Sequence, residues 1–388
     1  MRRVYLDNAA TTPVRAEVAE LIHEYMVKHF GNPSSVHWFG REARRGLDRA
    51  REQVAGLIGA HPDEIVFTSG GTEADNLAIK GVAALKGIQG KHLITSAIEH
   101  HAIIHSTEQL ERQGLQVTYL AVDEHGLVEP DHLAHALRPE TILASVMLAN
   151  NEVGTIQPIR ELAALCRAKG VLFHTDAVQA AGQLDIDVKA LDVDLMSISS
   201  HKLYGPKGIG ALYIRKGCRV EPLAHGGGHE RKRRAGTENL PGIVGFGLAA
   251  ELSRQELPER REHLEALRDR LVQGILGGIS HSRLNGHPQL RLPNNCNVSI
   301  EFVEGESMLL NLDLLGIAAS SGSACTSGAL EPSHVLLAMG LSHELAHGSL
   351  RFSLGRQNTA GDVDYVISTL PGIVARLREI SPLHAGRE

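Results

Sequence analysis

Seven short apolar runs, separated by stretches with helical spacing, dominate the chain up to residue 214. The runs are Ile65–Thr68, His92–Ser96, Gln116–Val122, Ile142–Leu148, Val171–Thr175, Asp194–Ile198 and Gly210–Ile214. Helical patterns such as Glu73–Ala84, Ala102–Gln113 and Arg160–Ala168 lie between them. Strands that alternate with helices predict an α/β fold, with a mainly parallel seven-stranded sheet and helices on both faces. Ligands of such sheets bind beyond the carboxyl ends of the strands, so the polar residues there are the first candidates for chemistry.

After about residue 240 the character changes. A charged helix (Pro258–Leu276), a strand (Asn297–Phe302), a helix (Ser307–Leu315), a strand (Leu350–Leu354) and a last helix (Asp362–Arg378) predict a smaller α+β domain. The division expected is an N-terminal arm over 1–15 that packs with the small domain, a large domain over 16–250 and a small domain over 251–388. Pro13 stands near a helix start.

Charge and composition exclude several classes. A formal charge of −6 gives no basic footprint for nucleic acid. The run Arg231-Lys232-Arg233-Arg234 is a local exception, readable as a solvated loop or as an anion or subunit contact. No apolar stretch is long enough for a membrane span, and none follows Met1-Arg2-Arg3 as in a signal peptide, so a cytoplasmic protein is expected. Cys166, Cys218, Cys296 and Cys325 lack CxxC spacing, which suggests neither a zinc knuckle nor a disulfide framework.

Three strand ends carry a constellation. Ser69-Gly70-Gly71-Thr72-Glu73 follows a strand and opens a helix, where free N–H groups and the dipole favour a phosphate. It has no Walker lysine, and a plain glycine turn with a Thr cap is the alternative. His174-Thr175-Asp176-Ala177-Val178-Gln179 offers a carboxylate that could cap a helix or hold a protonated pyridine nitrogen. Ser197-Ile198-Ser199-Ser200-His201-Lys202 puts a lysine directly after a buried strand, where an unpaired ammonium is costly. An imine to an aldehyde cofactor, pyridoxal phosphate (PLP), accounts for Lys202, with Ser199 and His201 helping to bind its phosphate. His100 could stack on the pyridine ring or merely cap a helix. Asn151 could reach the ring oxygen or the substrate. Gly205–Gly210 leads into a strand, so it is no dinucleotide fingerprint.

These residues match a known pattern. The chain resembles the PLP-dependent cysteine desulfurases of the NifS and IscS type, within the class V aminotransferase superfamily. The match runs from Tyr5-Leu6-Asp7-Asn8-Ala9-Ala10-Thr11-Thr12 and Phe30-Gly31-Asn32-Pro33-Ser34-Ser35 through the motifs above. It continues with Ala149-Asn150-Asn151-Glu152, Arg234-Ala235-Gly236-Thr237-Glu238-Asn239, Ser321-Gly322-Ser323-Ala324-Cys325 and Leu350-Arg351-Phe352-Ser353-Leu354-Gly355-Arg356. The resemblance implies the PLP-dependent transferase fold of type I and a homodimer. Lys202 would carry the cofactor, Asp176 would pair with the pyridine nitrogen, and Gln179 and Asn151 would lie near the ring oxygen. His100 would stack on the ring and shuttle protons. Gly71, Thr72, Ser199 and His201 would bind the phosphate, joined by Thr237 from the second subunit. Arg351, with Asn32 as a second candidate, would hold the substrate carboxylate.

Cys325 lies among small polar residues and glycines without apolar periodicity, so a mobile, exposed loop is expected. The resemblance makes its thiolate the nucleophile that takes sulfur from L-cysteine as a persulfide and releases alanine. An iron–sulfur scaffold protein is the expected acceptor. No stable metal site is expected, Cys325 being at most a transient iron–sulfur ligand. The chain ends soon after Ser381-Pro382-Leu383, which favours NifS-like proteins over an IscS-like docking mode. A selenocysteine lyase or a class V aminotransferase is the alternative on the same scaffold. His343-Glu344-Leu345-Ala346-His347 fits the zinc-protease pattern HExxH, but Gly348 follows at once, too soon for the sustained helix that pattern needs. His101 and His105 have helical spacing and read as surface residues.

Overall fold

The structure is a computed structural model that describes residues 2–321 and 331–381. Cys325 therefore lies outside the described residues.

A seven-stranded sheet forms the centre of the larger part. Its strands follow the order Ile65–Thr68, Gly210–Ile214, Leu195–Ser199, Leu172–Asp176, Thr141–Ser145, His92–Ser96, Gln116–Leu120. Gly210–Ile214 runs antiparallel to both neighbours and every other pair is parallel. Three strands match the predicted bounds, and the others shift by one to three residues. Valines, isoleucines and leucines fill both faces, as buried parallel strands require. Helices Gly71–Lys86 and His101–Arg112 cover one face, through Leu77, Val82, Ile103 and Leu110. Helices Trp38–Leu57, Ile159–Ala168 and Leu240–Gln255 cover the other, through Leu47, Val54, Leu162 and Phe246.

The smaller part has its own core. Asn295–Ile300 is the middle strand of an antiparallel three-stranded sheet, between Ser282–Leu284 and Ser349–Ser353. Helices Leu257–Gly278 and Ala360–Ile380 pack on it through Leu264, Leu271, Val366 and Leu370. Residue 250 falls inside helix Leu240–Gln255, whose buried side chains belong to the first core. We therefore propose to draw the division at Glu256, where that helix ends.

The N-terminal arm joins the two parts. Val4–Tyr5 pairs with Ile317–Ala318, and Asp7 bridges to Ser353. A few residues on, Thr12 N–H donates to the His201 carbonyl at 3.0 Å. This path lays Ala9 and Ala10 across the carboxyl ends of the central strands, beside Lys202.

Candidate active site

A cavity of about 250 Å³ opens at those strand ends. Lys202, Asp176, Gln179, His100, Asn151, Ser199, His201, Gly71, Thr72 and Arg351 all line it. Sequence reasoning named these ten separately, and the fold brings them to one place.

The strand Leu195–Ser199 passes through a short 3₁₀ turn that presents Lys202. Its Nζ donates to the Ala10 carbonyl at 2.8 Å and also to the Ala9 carbonyl. The Gln179 amide donates to the same Ala9 carbonyl at 2.9 Å. Asp176 ends the neighbouring strand and is 5% exposed. One carboxylate oxygen accepts from Val178 N–H at 2.8 Å, so the capping role and the cavity position coexist. Burial lifts its pKa to about 6, against the opposing pull of Val178 N–H and the Lys202 charge.

The glycine cup proves to be an open helix N-terminus. Helix Gly71–Lys86 starts after Gly70 with no side-chain cap, so Thr72 does not play the capping role that a plain turn would give it. Its first N–H groups are left for an anion. A methyl group at Gly71 would lie 2.7 Å from Val178 Cγ2, so glycine lets the helix start approach the Asp176 turn. Glu73, in the first turn, is held by Ser69 N–H at 2.7 Å and by Arg234 Nε at 2.9 Å. Arg234 thus offsets a carboxylate beside the anion site. Arg231 pairs with the Asp63 carboxylate and Arg233 donates to the Asp63 carbonyl at 3.2 Å, so three residues of the basic run are engaged within this chain.

His100 caps a helix and also lines the cavity. Its Nδ1 accepts from Ala102 N–H at 3.1 Å, which leaves Nε2 as the protonated nitrogen of the neutral ring. Burial, then the charge of Lys202, depresses its pKa to about 4. His201 is depressed to about 4 for the same reasons, and its Nδ1 lies 3.2 Å from Thr11 Oγ1.

Arg351 is 3% exposed. Nη1 donates to the Asn151 carbonyl at 3.0 Å and Nη2 to Asp7 Oδ1 at 3.1 Å. Its Nε is buried with no hydrogen-bond partner among the described residues. An orphaned buried guanidinium donor beside a cavity suits an incoming carboxylate. Asn32 is not brought there. It is exposed, and its side chain closes a turn by accepting from Ser34 N–H at 2.9 Å. Thr237 is exposed and does not line the cavity of its own chain.

Sequence reasoning missed three acids around this cavity: buried Asp75 on its wall, half-buried Asp7 paired with Arg351, and buried Glu99 next to His100 in the chain. Ser96 Oγ and Met147 N–H hold Glu99 at 2.5 and 2.9 Å, and burial raises it to about 8. The sequence signal was acidic residues inside apolar or motif segments.

The sequence pattern of the aminotransferase class-V family matches residues 4–366. The chain belongs to that family, in its NifS/IscS cysteine desulfurase group. It is 56% identical over 382 residues to a protein of Methanosarcina thermophila named cysteine desulfurase IscS, covering 98% of this chain and 94% of that one. It is 54% identical to a cysteine desulfurase IscS of Dictyoglomus turgidum, covering 98% and 97%. A solved structure titled NifS-like protein superposes with a TM-score of 0.91 at 39% identity, covering 97% of this chain and 100% of that one. These curated relatives carry the IscS name and this solved structure the NifS name.

The family's enzymes depend on PLP. The residues present fit it. An amine, a buried carboxylate, an uncapped helix start and a ring that stays neutral converge on one cavity, and the Gly71 cradle would be filled by a single Cβ. No helix among the described residues is long and apolar enough to cross a membrane.

Proposed function

We propose that the cavity removes sulfur from L-cysteine, yielding alanine and a persulfide on Cys325. The observation that carries this reading is the meeting of Lys202, Asp176 and Arg351 in one cavity: a covalent anchor, a ring-nitrogen partner and a carboxylate clamp. Bound PLP supplies an electron sink that loosens the Cα proton and the Cβ–S bond of an attached amino acid.

This chain's own residues do the rest. Lys202 would hold the aldehyde carbon, and its amine would stand where it can move protons at the substrate Cα. Asp176, kept charged by Lys202 and Val178 N–H, would stabilise a protonated pyridine nitrogen. Gln179 and Asn151, which line the cavity, would lie near the ring oxygen. Gly71, Thr72, Ser199 and His201 would hold the phosphate, which the open helix start favours. The Nε2–H of His100 can donate to the departing sulfur or to the ring. Arg351 would fix the substrate carboxylate through its orphaned Nε. Cys325 would take the sulfur as a thiolate, an assignment that rests on its sequence surroundings.

A homodimer fits two observations. Thr237 is exposed away from its own cavity, where it would complete the phosphate site of a partner. Phe30, Trp38 and Phe39 form an exposed apolar cluster, with the Phe30 and Trp38 rings 5.5 and 5.0 Å from that of Phe39, and Met26 and Val36 are exposed close by in the chain. Such a patch suits a second copy of the chain. An iron–sulfur scaffold protein is the acceptor that the resemblance favours.

The test is direct. Protein given L-cysteine should form alanine one-to-one with persulfide plus sulfide, with the persulfide mapped to Cys325 by mass spectrometry. Full turnover in Cys325→Ala would rule the thiol out. Transfer to a keto acid would favour the aminotransferase reading, and a strong preference for selenocysteine the lyase.

A further inference from the structure

Asp75 is a buried carboxyl on the cavity wall that the roles above leave unused. It sits on helix Gly71–Lys86, one turn in from the open N-terminus. It is 1% exposed, and its Oδ1 has no hydrogen-bond partner among the described residues. It lines the same cavity as Asp176.

Among the described residues, the groups facing Asp75 offer it no positive charge. His174 Nε2 lies 3.8 Å from Oδ1. That ring is occupied by two hydroxyls, Ser145 Oγ at 2.8 Å from Nδ1 and Ser197 Oγ at 3.0 Å from Nε2. Burial depresses His174 to about 3, so it stays neutral. Ser197 also bonds the Asp75 side chain, and the other acids felt there are Asp176 and Glu99. Two close buried carboxylates do not both ionise without cations to match. Asp176 has Val178 N–H and the charge of Lys202 in its favour, and Asp75 has neither. Burial, then Asp176, drives the Asp75 carboxyl well above its ordinary range.

We propose that Asp75 is a positioning residue. It carries the proton of the Asp75–Asp176 pair as a neutral acid, and so leaves Asp176 the single carboxylate available to a protonated pyridine nitrogen. A neutral acid can also donate a hydrogen bond, whereas a second carboxylate could only repel Asp176. This deepens the reading of Asp176 given above and rests on it.

The experiment compares Asp75→Asn and Asp75→Leu as PLP-loaded proteins. The readouts are the cofactor dissociation constant and the pH midpoint of the bound cofactor's visible absorption. Asparagine is neutral, isosteric and an N–H donor, so affinity should stay within about threefold and the midpoint within about half a pH unit of wild type. Leucine is neutral without a donor, and should weaken affinity about tenfold or more by stranding buried polar partners. If Asp75 is instead ionised, Asn and Leu will shift the midpoint alike, by a unit or more, and the proposal fails. It fails too if Leu behaves as wild type. Should the Leu variant not fold, infrared spectra decide. At pH 7 the wild type should show a protonated-carboxyl stretch that Asp75→Asn diminishes, and an unchanged band overturns the proposal. Asp176→Asn separates the two readings: unaltered affinity and spectrum there would sink the role of Asp176 itself, whatever Asp75 does.

Discussion

Arg351 and Asp7, 344 positions apart in sequence, meet at 3.1 Å behind the cavity. The pairing ties the N-terminal arm to the strand Ser349–Ser353, and it occupies one nitrogen of the guanidinium while Nε stays orphaned. Burial raises the Asp7 carboxyl although Arg351 pulls it back, so the acid is a costly partner. A substrate carboxylate would share the guanidinium with it. Arg351→Gln should therefore raise KM for L-cysteine about 30-fold or more, matching the roughly 2–5 kcal/mol lost when a buried charged partner is removed. Asp7→Asn should move KM the other way or leave it near wild type. Steady-state kinetics checks both, and an unchanged KM in Arg351→Gln would remove the clamp assignment.

The buried acids give stability a downward slope with pH. Glu99 is raised to about 8 and Glu152 to about 7, both chiefly by burial. Above about pH 4.5 the unfolded chain ionises these groups while the fold keeps them protonated, so their contribution is lost as pH rises through the folded values. His92, His100, His174 and His201 oppose this only at lower pH. Their folded values, about 4, 4, 3 and 4, lie below the unfolded value of about 6.5, so they add stability as pH rises to that point. Between about pH 6.5 and 8 the carboxyl slope remains, at up to about 1.4 kcal/mol per pH unit per titrating group. Urea unfolding of the apoprotein should show lower stability at pH 8 than at 6.5. Glu99→Gln should flatten the slope, and an unchanged slope would refute the protonated state of Glu99.

The segment that bears Arg234 and Thr237 is anchored by a buried ion pair. Arg51 Nη2 and Nη1 donate to the two Glu230 oxygens at 2.6 and 2.9 Å, and Phe67 N–H donates to Glu230 at 3.0 Å. The anchor holds Glu230, Arg231 and Lys232 at φ of 45°, 56° and 67°, a left-handed turn without glycine. Each such residue costs about 1–2 kcal/mol. Glu230→Gln leaves the Arg51 charge buried without its counter-ion and should destabilise the protein by about 3 kcal/mol or more. Cofactor affinity should fall with it, because Arg234 is released from Glu73. Chemical denaturation and a cofactor titration measure the two effects. A stable variant that binds PLP as wild type would show that the turn holds its shape unaided.

Features carried by contiguous residues were legible, and those made by distant pairs were not. Lys202, Asp176, His100 and the Gly71–Thr72 cup stand at strand ends, where an apolar run stops and chemistry begins, so a local pattern reveals them. The seven strands were readable for the same reason. Asp7 with Arg351 and Arg51 with Glu230 leave no local signature, because each contact exists only after both cores have formed. Asn32 stands outside the cavity of its own chain, because a motif position says nothing about where its side chain is engaged, and Ser34 N–H engages it. The basic run at Arg231–Arg234 read as a solvated loop or as an anion or subunit contact. The acids that occupy Arg231 and Arg234, Asp63 and Glu73, lie more than 150 residues upstream.

Gly71 offers a test of the anion cradle that leaves every charged group in place. An alanine methyl there would sit 2.7 Å from Val178 Cγ2, closer than carbon atoms pack. Relief requires the Val178 side chain to leave its rotamer, or the first turn of the helix or the turn after Asp176 to move by a few tenths of an ångström or more. A backbone movement separates the open N–H groups from Asp176, and a new Val178 rotamer reshapes the cavity wall that Val178 lines. Gly71→Ala should accordingly weaken PLP binding about tenfold or more, with little change in overall stability, since alanine is a better helix former than glycine by about 1 kcal/mol. Val178→Ala removes the clashing methyl and, combined with Gly71→Ala, should restore most of the lost affinity. Cofactor titrations of the two single variants and the double variant close the cycle. Additive losses in the double variant would mean that Gly71 serves the site by some route other than its approach to Val178.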